Sequence, residues 1–255
     1  MIRASLALAR RALRNSLRRP QFLAPLVIFP SMFLAVNVGG LQGTTELPGF
    51  QEVNGFLDFQ LAAAITQSVL LGGVTAGIAT ALEIEGGFFD RLVAAPIPRV
   101  AVIIGRLIAV GTLAIAQVLW FLAIGLIFGA EIVGGLPGAL LVIAIGVCAG
   151  VGFGAIGMLL AFRARNASTV QGIFPLVFVI LFVSSAFFPR DLLEPPADWV
   201  ADYNPLSYIA EGMRDPIISG VSAGPVAAGF AAAIGVALVA TALAILALRG
   251  RLRDA

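Results

Sequence analysis

"GALLVIAIGVCAGVGFGAIGMLLAF", residues 138–162, runs for twenty-five residues without an Asp, Glu, Lys, Arg or His. A helix of that length, rising 1.5 Å per residue, crosses the ~30 Å hydrocarbon core of a bilayer with room to tilt. The rest of the chain has the same character. Its 255 residues are 60% hydrophobic and 12% charged, with a mean hydropathy of +1.02. A water-soluble domain could not hide that much apolar surface. The fold class is therefore an all-α polytopic membrane protein.

Six spans are predicted, over 21–38, 58–82, 106–128, 138–162, 172–188 and 224–248. Together they form a single transmembrane domain over 1–255. Pro25, Pro30 and Pro175 fall inside two of the spans. A helix in lipid tolerates proline where a neighbour satisfies the freed carbonyl. The fifth span is short and needs tilt or its flanks to cross. No cleaved signal peptide is expected, because too many arginines precede the first apolar run.

Charge sets the orientation. All 16 basic residues are arginine. With the N-terminus in the cytoplasm, Arg3, Arg10, Arg11, Arg14, Arg18, Arg19, Arg91, Arg99, Arg106, Arg163, Arg165, Arg249, Arg251 and Arg253 lie inside. Only Arg190 and Arg214 lie outside. Short arginine-rich loops are retained on the cytoplasmic side, so both termini are expected there. The arginine, alanine and glycine usage fits a bacterial cell membrane.

Residues 1–20, "MIRASLALARRALRNSLRRP", form an amphipathic pattern. Ile2, Leu6, Ala9, Leu13 and Leu17 share one side and the arginines the other. Such a helix lies in the interface among anionic headgroups, and Pro20 ends it. It is either a plain anchor or a lever meeting a cytoplasmic partner.

The chemistry available to the chain is narrow. Without lysine there is no G-x-x-x-x-G-K-[ST] loop for nucleotide. Without histidine, and with Cys148 as its one cysteine, it has no Cys–His nucleophile, disulfide or cysteine-cluster metal site. Asp191, Glu194, Asp198 and Asp202 read as a solvated outer segment rather than paired catalytic carboxylates. No enzyme activity, directly bound cofactor, metal or nucleic acid is expected. The span interiors hold only mild polar groups, and Gln67, Gln117 and Ser184 are the candidates for lining a path. An ion-driven carrier needs ionisable ligands at that depth. Uphill movement through such a conduit would draw its energy from a partner.

The polar insert between spans two and three, "ALEIEGGFFDRLVAAPIPR" over 81–99, is the largest inter-span cytoplasmic loop and the natural docking surface. This loop carries Glu85, Gly86, Arg91-Leu92, Ala95-Pro96, Arg99 and Gly105-Arg106, and the end of the chain Pro205, Leu206, Ser207, Tyr208 and Arg214. On these residues the chain resembles the type-2 ABC exporter permeases, in the branch of daunorubicin-resistance transporters and polysaccharide or teichoic-acid exporters. Ala95 and Arg106 stand where the family usually has serine and lysine, and no Pro-Gly opens the second span near Asp58.

The resemblance implies the permease subunit of an ATP-driven exporter. Two copies of a cytoplasmic ABC ATPase would carry ATP-Mg. A second permease half, a copy or a sister subunit, would complete the path. A mostly apolar path with phenylalanines and a few Gln or Ser groups suits an amphipathic substrate, a drug, lipid or glycolipid as in multidrug resistance, better than a long sugar. A membrane anchor for a sensor or assembly factor is the alternative. The coupling residues would be Glu85, Gly86, Phe88, Phe89, Arg91, Leu92, Pro96 and Arg99, with Phe88, Phe89 and Leu92 plugging an apolar pocket of the partner. A simple chain-reversing hairpin is the alternative for that loop.

Outside, 189–220 is too long for a turn and too broken to span. Two short re-entrant helices split near Asn204-Pro205 are expected, with Trp199, Pro205, Tyr208 and Arg214 at an outer gate. Arg214 is expected to pair with Glu211, Asp215, Asp202 or lipid phosphate. Finally, Gly146, Gly150 and Gly154, with Gly73 and Gly77, mark close helix contacts, either within one subunit or at a dimer seam.

Overall fold

The computed structural model describes residues 1–46, 50, 53, 55–95 and 97–251. Every regular element among them is helical. α1 (Ile2–Leu17) precedes α2 (Pro20–Leu41), and α3 (Phe56–Glu85) leads into the short α4 (Phe88–Ala94). α5 (Arg99–Ile127) and α6 (Gly135–Ala164) follow. Then come α7 (Ala167–Gly172), α8 (Phe174–Phe182), α9 (Ala197–Tyr203), α10 (Pro205–Ile218) and α11 (Ala223–Arg251).

Among the described residues, five helices are long and apolar enough to cross a membrane: those over Pro20–Glu46, Phe56–Glu85, Arg99–Ile127, Gly135–Ala164 and Ala223–Arg251. The predicted fifth span differs. Its place is taken by a shorter apolar stretch, Ala167–Phe182, and the chain leaves helical geometry after Phe182. The outer segment divides into α9 and α10 at Asn204, as the Asn204-Pro205 pair predicts. Asn204 makes the break: its Oδ1 accepts from Leu206 N at 3.0 Å and its Nδ2 donates to the Ile180 carbonyl at 2.7 Å.

α3 is the central helix. It packs against α2, α5, α6 and α10, and most of its length is buried. Where α2 meets it, Pro30 lacks the N–H that would bond Leu26 four residues back. Ser68 Oγ donates to that freed carbonyl at 2.6 Å. Gln117 Nε2 in turn donates to Ser68 O at 2.9 Å. One polar relay thus ties α5 to α3 and α3 to the proline-bent α2.

On its opposite side α3 touches α6 backbone to backbone. A Cβ on Gly77 would stand 2.7 Å from Gly157 O, and one on Gly157 would overlap Gly73 O. Gly146, Gly150 and Gly154 likewise face Val118, Ala114 and Val110 of α5. These glycines serve packing within one chain, the first of the two readings open from the sequence. α2 and α8 meet differently, through rings: Phe29–Phe178 at 5.4 Å and Phe33–Phe182 at 5.8 Å, with Phe33 and Phe182 also on Phe187.

α1 lies along the start of α5. Ser5 and Ala9 are buried, and Gly105 lets α1 approach so closely that a Cβ there would sit 2.8 Å from Ser5 O. Ile2, Leu6 and Leu17 stay exposed on its outer side, available to lipid.

Gly157→Leu should force α3 from α6 and destabilise the protein by about 1–3 kcal/mol, as overpacking does. Gly172→Ala, with open space around it, should be neutral. Thermal unfolding in detergent measures both.

Candidate functional site

The predicted residues gather at the two ends of the long helices. At the arginine-rich end, Gly86 closes α3 by donating to Leu82 O at 3.0 Å. Gly87 then adopts a left-handed φ of 67° and starts α4, a conformation glycine reaches without a Cβ penalty. This tight turn lays α4 across the ends of α5, α6 and α11.

Phe89 is the residue that fixes α4. It is 0% exposed and packs with Ile103, Leu107, Phe162 and Leu248, its ring 5.4 Å from that of Phe162. This corrects the expectation that Phe89 plugs a partner's pocket: its own chain already encloses it. Phe88, one residue and about 100° further round the helix, is only partly covered. The Arg11 guanidinium lies over its ring at 3.7 Å. Leu92 is half-buried and Arg91 exposed.

Charged groups surround this turn. Glu83 bonds both Arg11, at 3.1 Å, and Arg106. Arg106 also donates to Thr80 Oγ1 at 2.9 Å. Arg251, at the end of α11, pairs with Asp90 at 2.9 Å. Glu85, named with the coupling residues, is exposed at the end of α3. It accepts from Ala167 N at 2.9 Å, satisfying one of the orphan donors that open α7. Arg99 is exposed at the start of α5, and Pro96 lies outside the described residues. Glu83, Arg11 and Arg251 were not singled out from the sequence. The acidic Glu83, one turn before the glycines, was the available signal.

A cavity of about 130 Å³ opens beside this cluster, between α1, α2, α3 and α5. Asn15, Ser16 and Arg19 line one part, Glu83 and Arg106 another, and Leu26, Leu113 and Gln117 a third. Gln117 thus lines an internal space while holding Ser68. The other two path candidates are enclosed. Gln67 is 1% exposed, with neither amide atom partnered among the described residues. Ser184 is buried and donates to Leu181 O. A second, almost wholly apolar groove of about 460 Å³ lies between α3, α6, α8 and α11, lined by Leu70, Val74, Phe153, Leu160, Ile173 and Leu206.

At the opposite end, Arg214 is buried and makes no ion pair among the described residues. Its Nη2 donates to Ser185 O at 3.1 Å and to Ala186 O, and its Nε to Phe59 O. Its guanidinium lies 3.7 Å over the Phe59 ring. The expected carboxylate partner is taken by Arg190, which bonds Glu211 at 2.9 Å and Asp202 at 2.7 Å. The physical reason is the early end of α8. The carbonyls after Phe182 have no helical N–H, and a guanidinium offers five donors with no need of an acceptor.

Burial pushes the Arg214 guanidinium down to about 10, the nearby Glu211 opposing this, so it stays charged at neutral pH. Burial also lowers Arg190, but its contacts with Tyr208 and Glu211 outweigh that and hold it above its ordinary value. Tyr208 OH donates to Asp202 O at 2.8 Å. Pro205 begins α10. Trp199 is exposed on α9.

Five membrane-length helices among the described residues, with an amphipathic first helix and a loop helix wedged at one end, define a multi-pass membrane protein. Residues 3–218 match the family model of the ABC-2 type transporter, and the chain belongs to that family. Over 210 residues it is 27% identical to the transport permease ycf38 of Porphyra purpurea, covering 82% of this chain and 72% of that one.

Arg214→Ala should lower the Tm in detergent far more than Arg190→Ala. The first leaves the buried Ser185 and Ala186 carbonyls short of a donor, at about 1–3 kcal/mol for each unsatisfied group. The second frees carboxylates that remain partly exposed and can hydrate. Equal shifts would show that the carbonyl contacts do not hold the outer turn.

Proposed function

We propose that this chain is the transmembrane permease subunit of an ATP-driven exporter, working with a separate cytoplasmic ABC ATPase. The observation that carries the reading is α4. It is a short helix fixed to the bundle by Phe89, yet it leaves Phe88, Arg91 and Leu92 at least partly open on its remaining surface. A partner cleft could seat Phe88 and Leu92 while Arg91 pairs at its rim, the anchor-and-rim arrangement of protein interfaces. Membership of the ABC-2 family supports the same reading, and the relative's printed name, a transport permease, agrees with it.

In this reading the chain forms one transmembrane domain, and ATP-Mg binds on the ATPase, present in two copies. A second permease half, a copy or a sister subunit, completes the path. The arginine-rich end faces the cytoplasm of a bacterial cell, by the bias of its short loops. The outer segment with Trp199, Pro205, Tyr208 and Arg214 caps the exit. An amphipathic cargo of the drug, lipid or glycolipid kind suits the apolar groove beside α8 and the phenylalanines between α2 and α8.

Phe88→Ala with Arg91→Ala should weaken ATPase co-purification and stimulated hydrolysis, while the membrane subunit loses far less Tm than in Phe89→Ala. The loss of one interface anchor is worth about 2 kcal/mol, roughly thirtyfold in affinity. Phe89→Ala should instead lower the Tm, as core Phe→Ala changes do by about 3–5 kcal/mol. Normal ATPase stimulation in the double variant would remove α4 as the docking element.

A further inference from the structure

α11 connects the two ends described above. Its 29 residues span roughly 43 Å at the helical rise. At one end it is pressed backbone to backbone against α10. A Cβ on Gly229 would lie 2.8 Å from Gly212 Cα and 3.0 Å from Tyr208 O. Along its middle, Ala233, Ala240 and Ala244 are buried, and α6 approaches so closely that a Cβ on Gly152 would meet Ala237 N at 3.0 Å. At the other end Leu248 packs in the cluster that holds Phe89. There Arg251 bonds Asp90 at 2.9 Å and lies 5.5 Å over the Phe89 ring.

Two features of that last contact exceed what packing requires. The Arg251 side chain is only 12% exposed, and its Nη1 has no partner among the described residues. It spends its charge on α4, whereas Asp90 stays largely open to water. α10, at the far end, carries Tyr208, Glu211 and Arg214, the side chains that organise the outer segment.

We propose that Arg251 is a positioning residue that ties the docking helix α4 to α11, making α11 a rigid link from the ATPase to the outer segment. The inference rests on the permease reading above. A displacement of α4 by the ATPase carries Asp90 and Phe89 with it. Arg251 follows them, and α11 transfers the motion to α10 through the Gly229–Gly212 contact, where neither backbone has side chains to yield. Coupling between distant sites requires a physically continuous element with two arrangements, and α11 supplies the continuity.

The test uses the full chain with its ATPase subunit in lipid nanodiscs, in a Cys148→Ser background carrying Tyr203→Cys. An impermeant maleimide reports exposure of the outer segment, without nucleotide and with ATP plus vanadate. The labelling rate should change about fivefold or more between the two states, the lower range of allosteric coupling. Arg251→Gln should abolish that change and Arg251→Lys, which keeps the ion pair, should restore most of it. A purely structural role would move the Tm but leave the nucleotide dependence intact. Full nucleotide dependence in Arg251→Gln overturns the link. So does the absence of any nucleotide effect in a parent whose ATPase is stimulated normally, which leaves the permease reading standing. A parent that binds and stimulates no ATPase refutes that reading and the link with it.

Discussion

A backbone carbonyl that loses its helical partner inside an apolar layer has no water to turn to, and this constraint shapes the whole molecule. Pro30 leaves Leu26 O open, and Ser68 reaches across from α3 to fill it. The helix that ends at Phe182 leaves Ser185 O and Ala186 O open, and Arg214 reaches in from α10. Each repair joins two elements far apart in sequence, so the defects in the helices are also the joints of the fold. The buried arginine opposite the general charge bias follows from the same need. It is the side chain with enough donors for a cluster of acceptors.

The arginine-rich end is organised by a different balance. Few carboxylates are present, and one of them, Glu83, sets the position of two cations. Glu83 holds α1 and α5 together through Arg11 and Arg106, and Asp90 holds the end of α11. The partly exposed Arg11–Glu83 and Arg251–Asp90 pairs are worth about 0–1 kcal/mol each, whereas burying a phenylalanine is worth about 1.5–3 kcal/mol. Phe89 therefore secures α4 and the ion pairs orient it. The Gly105-Arg106 pair finds its explanation here too: the glycine admits α1, and the arginine meets Glu83 beside it.

The membrane-length helices were legible in the sequence because each is a long run of apolar residues, a local property. The split at Asn204 was legible for the same reason, since Asn-Pro acts on its own backbone. The misread points are all non-local. Residues 172–188 read as one apolar run, and only the arrival of Arg214 and Asn204 explains why the helix stops at Phe182. Phe88 and Phe89 are equivalent in sequence, and the placement of Phe162 and Ile103 decides which turns inward. With Asp215 and Asp202, Glu211 was one of the acids expected beside Arg214. Arg190, twenty-one residues upstream, takes it instead.

The glycine contact between α3 and α6 restricts how this bundle can change shape. Turning either helix by one residue, about 100°, would drive a branched side chain such as Val74 or Ile156 into a seam that has no room for a methyl group. The two helices therefore move as one stiff double strut. The α2–α8 face is the opposite kind of bearing. Its rings meet edge to face or tilted at 5–6 Å, and aromatic pairs keep favourable contact over a range of offsets. Sliding is cheap on the phenylalanine face and forbidden on the glycine face, so the bundle has a hard spine and one compliant side.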